Sequence, residues 1–531
     1  MMITRRLAAF TAAAALAVTV TVVGGENGAP SALAAPPDST PGSAPAESIA
    51  QRAIDPDGHL RYGYALGLAQ WDPIFSTISQ DNVYLSAVYD RLVHHSTAGE
   101  LIPGLATEWS VTPDGLTWTF TLREGVVFHD DTPFDAAAVK ANLERGQTTE
   151  GSTVAPELLS VTAIEVVDPT TVAITADVPM PQLPAVLSDR AGMMASPAAF
   201  ETLAHDPVGA GMFALQDEIP ESEATLVRNQ TYWDPDAVQV ATLTITAIPD
   251  PATRLNALRS GQIDWAALTP EDYEIALEDP NLTGAAFDSI SYLSIATYKV
   301  RPPLDDVRVR QAISHAIDRP LAAEALLLGY ATPCSQPFPP GYSAHVDELG
   351  CDRFGYDPER ARELLAEAGY GDGLELSMQV AAGGDGSRQA EVIQAQLAEV
   401  GISLEVVTVD VTRFVAGFFI EGEYDLSLGL WGGRASAIQT LQILYASDGA
   451  LNPGKLEVPE FDAALETARG TIDPDEQLAA IRAATTISVE QQYDIPLWFV
   501  PYLNAWNRDL VGVEGYLLGK QEFRGVGIAA D

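Results

Sequence analysis

The stretch Leu374-Glu375-Leu376-Ser377-Met378-Gln379-Val380 alternates apolar and polar residues with the period of a half-buried strand. A helical stretch over roughly 389–400 follows and stops at Gly401, after which Ile402, Leu404 and Val406 resume the alternation. Strand, helix and strand in so short a span make a βαβ unit, so the two strands are expected to be parallel with a right-handed crossover. Just upstream, Asp357 caps a helix that has Pro358 at its first position. Its apolar residues Ala361, Leu364, Leu365 and Ala368 fall at i, i+3, i+4 and i+7, and Gly369 ends it. This half of the chain reads as α/β.

An earlier segment has a different texture. Trp118, Phe120 and Leu122 alternate with Thr117, Thr119 and Thr121, and Pro113-Asp114-Gly115 and Glu124-Gly125 supply the turns on either side. Thr132-Pro133-Phe134 leads into a helix near 136–145. This region is mostly β, and the chain shows no internal repeat. At 531 residues it exceeds what one core serves, which predicts two or three lobes.

Composition narrows the function. With 47% hydrophobic and 19% charged residues the chain is that of a folded globular protein, but its formal net charge is −44. Such a field repels nucleic acid and suits a solvated surface in an extracellular or salty setting. Arg5 and Arg6 precede an apolar stretch, 7–23, and Ala32-Leu33-Ala34 offers a peptidase site, so 1–34 reads as a secretory signal peptide. A retained anchor is the alternative, although the stretch is barely long enough to span a bilayer. Val22-Val23-Gly24-Gly25 resembles a lipoprotein cleavage site without its cysteine, so no lipid anchor is expected. Residues 35–57, rich in Pro, Ala and Ser at the start, read as a disordered leader. In an oxidising compartment Cys334 and Cys351, 17 positions apart around a Pro/Gly-rich loop, are expected to form a disulfide. A metal or redox pair would want the closer C-x-x-C spacing or neighbouring histidines.

Catalytic signatures are missing one by one: no G-x-S-x-G elbow, no H-E-x-x-H, no P-loop. The seven histidines are scattered, and His94 and His95, adjacent on a strand, would point to opposite faces. The reading is therefore not an enzyme, with no metal site and no cofactor. A secreted hydrolase stays as the alternative, because a glycosidase's carboxylate pair obeys no spacing rule.

A run of short motifs then carries a resemblance. Tyr89-Asp90-Arg91-Leu92-Val93, Pro103-Gly104-Leu105-Ala106, Trp109, Leu122-Arg123-Glu124-Gly125-Val126, Phe128-His129-Asp130 and Val139-Lys140 come in order. Pro207-Val208-Gly209-Ala210-Gly211, Asp306-Val307-Arg308-Val309-Arg310-Gln311-Ala312, Ala316-Ile317-Asp318 and the helix from Tyr356-Asp357-Pro358 to Ala368-Gly369-Tyr370 follow. The series, from about residue 60 to 515, resembles the family 5 extracellular solute-binding proteins of ABC importers, the dipeptide, oligopeptide and nickel binders. The resemblance implies a type II periplasmic-binding-protein fold: two lobes and an additional β-rich domain (class C-like). Lobe I would comprise 58–86, 205–295 and 497–531, the added domain 87–204, and lobe II 296–496. It implies a monomer that captures a peptide or similar amphiphilic or anionic solute in a closing cleft and hands it to a membrane permease with its cytoplasmic ATPase.

By the same resemblance the site falls at Leu428-Gly429-Leu430-Trp431-Gly432-Gly433-Arg434. Trp431 would supply an aromatic wall, Arg434 a clamp for a carboxylate or phosphate, and Gly432 and Gly433 room for the ligand. Trp71 offers a second aromatic wall or core packing. Peptide-binding relatives carry an Asp just after this Trp, and here Gly432-Gly433-Arg434-Ala435-Ser436 contains no acid. That departure favours a ligand bearing an anionic group, or a largely neutral one such as a sugar conjugate. Nickel-chelate, haem, opine and oligosaccharide ligands stay within the same fold, and a sensor subunit or an extracellular chaperone is the alternative outside transport.

Overall fold

The computed structural model describes residues 53–530 other than 77, 383 and 384. The signal peptide and most of the leader read from the sequence lie outside the described residues. The described chain opens with Ile54 bridged to Ala529 and Asp55 donating its N–H to the Ile528 carbonyl at 2.8 Å, so its two ends are tied together.

Two large mixed sheets and one antiparallel sheet organise the chain, an α/β architecture with three centres. The seven-stranded sheet runs in the order Leu282–Phe287, Tyr502–Asn507, Trp265–Ala267, His59–Tyr64, Thr242–Ala247, Glu223–Arg228, Phe213–Ile219. His59–Tyr64 pairs in parallel with Thr242–Ala247 and Trp265–Ala267, while the outer strands are antiparallel. The six-stranded sheet has the order Thr332–Pro333, Asp494–Phe499, Tyr292–Thr297, Leu426–Trp431, Leu374–Ala381, Ile402–Val409. The βαβ unit lies here: Leu374–Ala381 and Ile402–Val409 are parallel, joined by the helix Gly386–Glu399, which starts three residues before the expected 389. The helix Pro358–Glu367 is capped as its sequence demands, the Asp357 carboxylate accepting from the Arg360 N–H at 2.9 Å.

A third sheet of Ala106–Val111, Thr117–Leu122, Thr171–Ala176 and Val161–Asp168 is antiparallel throughout. Trp118, Phe120 and Leu122 are its inward face, as their alternation requires, and Gly115 and Gly125 take the left-handed conformation in the flanking turns. The helix Ala136–Thr148 packs against this sheet. Each sheet has its own apolar cluster: around Ile295, Met378 and Leu426, around Phe120 and Phe128, and around Leu60, Trp265 and Leu243. The fold is thus two lobes with an extra β-rich domain.

The chain passes between the large sheets at two adjacent places. Leu282–Phe287 leads into Tyr292–Thr297, and Asp494–Phe499 leads into Tyr502–Asn507. The two crossings are bonded to each other: Ser289 Oγ donates to the Val500 carbonyl at 2.7 Å, and the Val500 N–H donates to the Ser291 carbonyl at 2.9 Å. Cys334 and Cys351 form a disulfide, with Cys334 fully buried.

Candidate functional site: the cleft between the lobes

A cavity of about 300 Å³ lies over the two crossings, with walls from both large sheets. That volume is at the lower end of what small-molecule sites occupy. On the lobe I side stand Tyr62 and Tyr64, same-face residues of one strand whose rings stack at 5.8 Å, joined by Tyr502 from the second crossing. Burial pushes the Tyr62 and Tyr64 phenols far above their ordinary range, so they face the cavity as neutral donors and acceptors. Asn82, first residue of the helix Asn82–Val88, lines the same wall. It is 2% exposed, and neither its Nδ2 nor its Oδ1 has a hydrogen-bond partner among the described residues. A buried amide left unpaired costs free energy that a ligand can recover.

Charges on this wall are already engaged. Arg254 donates through Nε to the Ala267 carbonyl at 2.7 Å and through Nη1 to the Ile248 carbonyl at 2.5 Å. Lys520 is ion-paired with Asp189, which in turn accepts from the Arg190 N–H at 2.9 Å. Burial and then Lys520 act oppositely on Asp189, and the cations win, holding its carboxyl well below the usual range.

Lobe II contributes Leu428, Gly429 and Leu430 of the strand Leu426–Trp431, together with Phe414, Tyr330 and Gln389. The sequence-identified segment therefore reaches the cavity through its first three residues. Trp431 is turned inward: it is 4% exposed, packs with Tyr292, Cys334 and Phe499, and lines a separate chamber of about 40 Å³ with Lys299 and Asp494. The two cavities share Phe414, Gly429 and Leu430 as a wall. Arg434 lies over Trp431, its guanidinium carbon 4.7 Å from the ring centroid, and donates through Nη1 to the Gly433 carbonyl at 2.9 Å. Among the described residues no carboxylate reaches ion-pair distance of Arg434, although Glu157 and Asp189 lie within its electrostatic reach. Gly433 is left-handed, and a Cβ there would stand 2.4 Å from Ile290 Cδ1, so the turn that places Arg434 requires glycine.

Trp71 is 1% exposed in the lobe I core, its ring 6.2 Å from that of Tyr84 and nearly perpendicular to it. It is not among the residues lining the cavity; Tyr84 connects it to the wall by donating to the Leu66 carbonyl at 2.8 Å. Reading the sequence missed Tyr62, Tyr64, Tyr502 and Asn82. Tyr62 and Tyr64 carried a signal in their i, i+2 spacing, whereas Asn82 had none.

Known proteins resemble this chain over most of its length. The model of the bacterial extracellular solute-binding proteins, family 5, matches residues 100–452. The glutathione-binding protein GsiB of Escherichia coli K12 is 31% identical over 424 residues, 77% of this chain and 82% of its own. Among solved structures, NikA from Brucella suis in complex with Fe(III)-EDTA superposes with a TM-score of 0.81 at 24% identity, covering 89% of this chain and 100% of that one. DppA from Helicobacter pylori in complex with the peptide STSA gives 0.77 at 24% identity, covering 89% and 98%. At those identities the structures speak for the fold alone. The chain is an exported solute-binding component of an ABC import system, working with membrane permease subunits rather than as an enzyme, and it belongs to the bacterial extracellular solute-binding proteins of family 5.

Proposed function

We propose that the solute is a peptide-sized amphiphile, that it lies in the cavity over the two crossings, and that the lobes close on it for delivery to the permease. The observation that supports this most is the wall itself: an unpaired, buried Asn82 amide beside stacked tyrosines whose hydroxyls stay neutral. Such a wall offers apolar faces with a few fixed hydrogen-bond groups, the usual make-up of a small-molecule site. Trp431 and Arg434, stacked at the end of the strand Leu426–Trp431 but outside the lining of the larger cavity, are the anionic-group end in this reading, with Gly432 and Gly433 in the turn that sets Arg434 there. Trp71 acts from behind, through Tyr84.

The same reading divides the chain into lobe I at 58–86, 205–295 and 497–531, the β-rich domain at 87–204 and lobe II at 296–496. It has the mature protein released after the small residues near 32–34 without a lipid, acting as a monomer. GsiB, by its name a glutathione-binding protein, makes reduced glutathione the first solute to try.

The test is thermal unfolding of the mature protein against glutathione, di- to tetrapeptides, opines, oligosaccharides and chelated nickel. A solute at 100 times its dissociation constant stabilises by about 2.7 kcal/mol, a clear rise in midpoint. Asn82→Ala should reduce the rise for the solute that binds, and Arg434→Ala should reduce it only for anionic members. A solute that raises the midpoint equally in wild type and both variants would place the site elsewhere.

A further inference from the structure

The mouth of the cavity is bridged by side chains from opposite walls. From lobe II comes Tyr330, just after the helix Arg319–Leu327, and Arg388 on the helix Gly386–Glu399. From lobe I comes the helix Pro270–Leu277, carrying Glu271, Tyr273 and Glu274. The Tyr330 hydroxyl donates to Glu274 Oε1, and its ring meets that of Tyr273 edge-on at 5.4 Å and 87°. The Arg388 guanidinium lies 3.6 Å from Glu271 Oε1, while its Nη2 donates to the Leu326 carbonyl at 2.9 Å and stands 3.9 Å from Asp385. Thr269, Pro270, Tyr330 and Asp385 line the cavity directly beneath.

These contacts join segments packed on different sheets, and among the described residues no backbone ladder connects them there. They can form only when the lobes are together, so their free energy bears on the closed state and not on either lobe alone. Solvent weakens the ion pair, each partner's side chain being 45% exposed. The phenol–carboxylate bond is solvent-exposed as well, Glu274 being exposed, and the edge-on ring contact adds to it, since the Tyr330 ring also packs on the apolar cluster of lobe I.

We propose that Tyr330 and Arg388, closing on Glu274, Tyr273 and Glu271, are a clasp across the cleft mouth that sets the closed population and the retention time of a bound solute. The inference rests on the cleft being the solute site. A bound solute escapes only when the clasp opens, so weakening it speeds release and leaves the encounter step nearly unchanged.

The experiment compares the mature protein with its Tyr330→Phe/Arg388→Gln variant. Spin labels at D236C and E359C, exposed positions on the two lobes, report the lobe separation by pulsed electron resonance without any solute. The wild type should show a closed population that the variant loses in favour of longer distances. For a solute from the panel above, or reduced glutathione if it binds, release should quicken about five- to tenfold, with association changed less than about twofold. Superimposable distance distributions would sink the clasp while leaving the import reading intact. A solute panel that binds nothing would sink the reading of the cleft as a site for a peptide-sized amphiphile, and the spin-label comparison would still decide the clasp. Phe at 330 keeps the ring packing, so a destabilised fold does not confuse the result; equal melting midpoints for the two apo proteins check this.

Discussion

Acidification should loosen the junction of lobe I and the β-rich domain through one imidazole. His95, on the strand Val93–His95, is 6% exposed and shares a 2.5 Å hydrogen bond with Ser188 Oγ, while its Nδ1 has no partner among the described residues. Burial first, then the Arg91 and Lys520 cations, hold its pKa at about 3 against an ordinary 6.5. The folded protein therefore keeps His95 neutral where the unfolded chain protonates it. Stability from this group is full above about pH 6.5 and declines as pH falls toward 3, because the unfolded state then binds more protons. At pH 5.0 the imidazole is about 1.5 units below its unfolded pKa, which at about 1.4 kcal/mol per unit is a loss of about 2 kcal/mol relative to pH 7.5. The assay is denaturant unfolding at both pH values for wild type and His95→Gln, followed by near-ultraviolet circular dichroism. Neighbouring Asp189 and Glu522, whose carboxyls are held low, and buried His129 titrate in both proteins, so the difference of differences isolates His95. Wild type should lose about 2 kcal/mol more than the variant. Parallel losses would show that His95 gains a proton partner in the folded state and that the buried-neutral reasoning is wrong.

Two further outcomes follow from buried pairs. Replacing Cys334 and Cys351 together by Ala frees a loop of 17 positions and should lower stability by about 3 kcal/mol in the chain-entropy view, read as an unfolding midpoint that reductant no longer shifts. Arg91 and Glu522 form an ion pair with both side chains nearly inaccessible, so Arg91→Met strands a buried carboxylate and should cost about 3–5 kcal/mol, whereas Arg91→Met/Glu522→Leu should recover much of that loss in a double-mutant cycle.

What the sequence disclosed depended on how far its partners lay apart along the chain. The unit Leu374–Ala381, Gly386–Glu399, Ile402–Val409 was legible because its strand period, helix and stop at Gly401 are all local. The cap at Asp357 and the turns at Gly115 and Gly125 were legible for the same reason. The seven-stranded sheet was not: His59 pairs with Thr242, and Trp265 with Trp506, registers that no window of sequence contains. The cavity wall inherits that difficulty, since Tyr64, Asn82 and Tyr502 meet only once the sheet is built. Trp431 and Arg434, three residues apart, were visible as a pair, but that Trp431 faces the smaller chamber depends on which side of its strand the second lobe's core occupies. The clasp partners Tyr330 and Glu274 are 56 positions apart and carry no motif at all.

The hinge explains why small contacts at the mouth can control so much. Among the described residues the chain enters lobe II once and leaves it once, and both crossings run side by side, tied by Ser289, Ser291 and Val500 into a single strap. Each lobe keeps a separate apolar cluster, so rotating one against the other exposes little of either core. The open and closed arrangements are then separated mainly by what faces across the cleft: the tyrosine wall, the solute, and the contacts between Tyr330, Arg388 and the helix Pro270–Leu277. A solute must supply only the difference between the arrangements, and each contact made at the mouth in the closed state lowers that requirement. Capture and release are thereby set by different residues. In the reading proposed above, the wall around Asn82 decides which solute is worth closing on, and the mouth decides how long it stays.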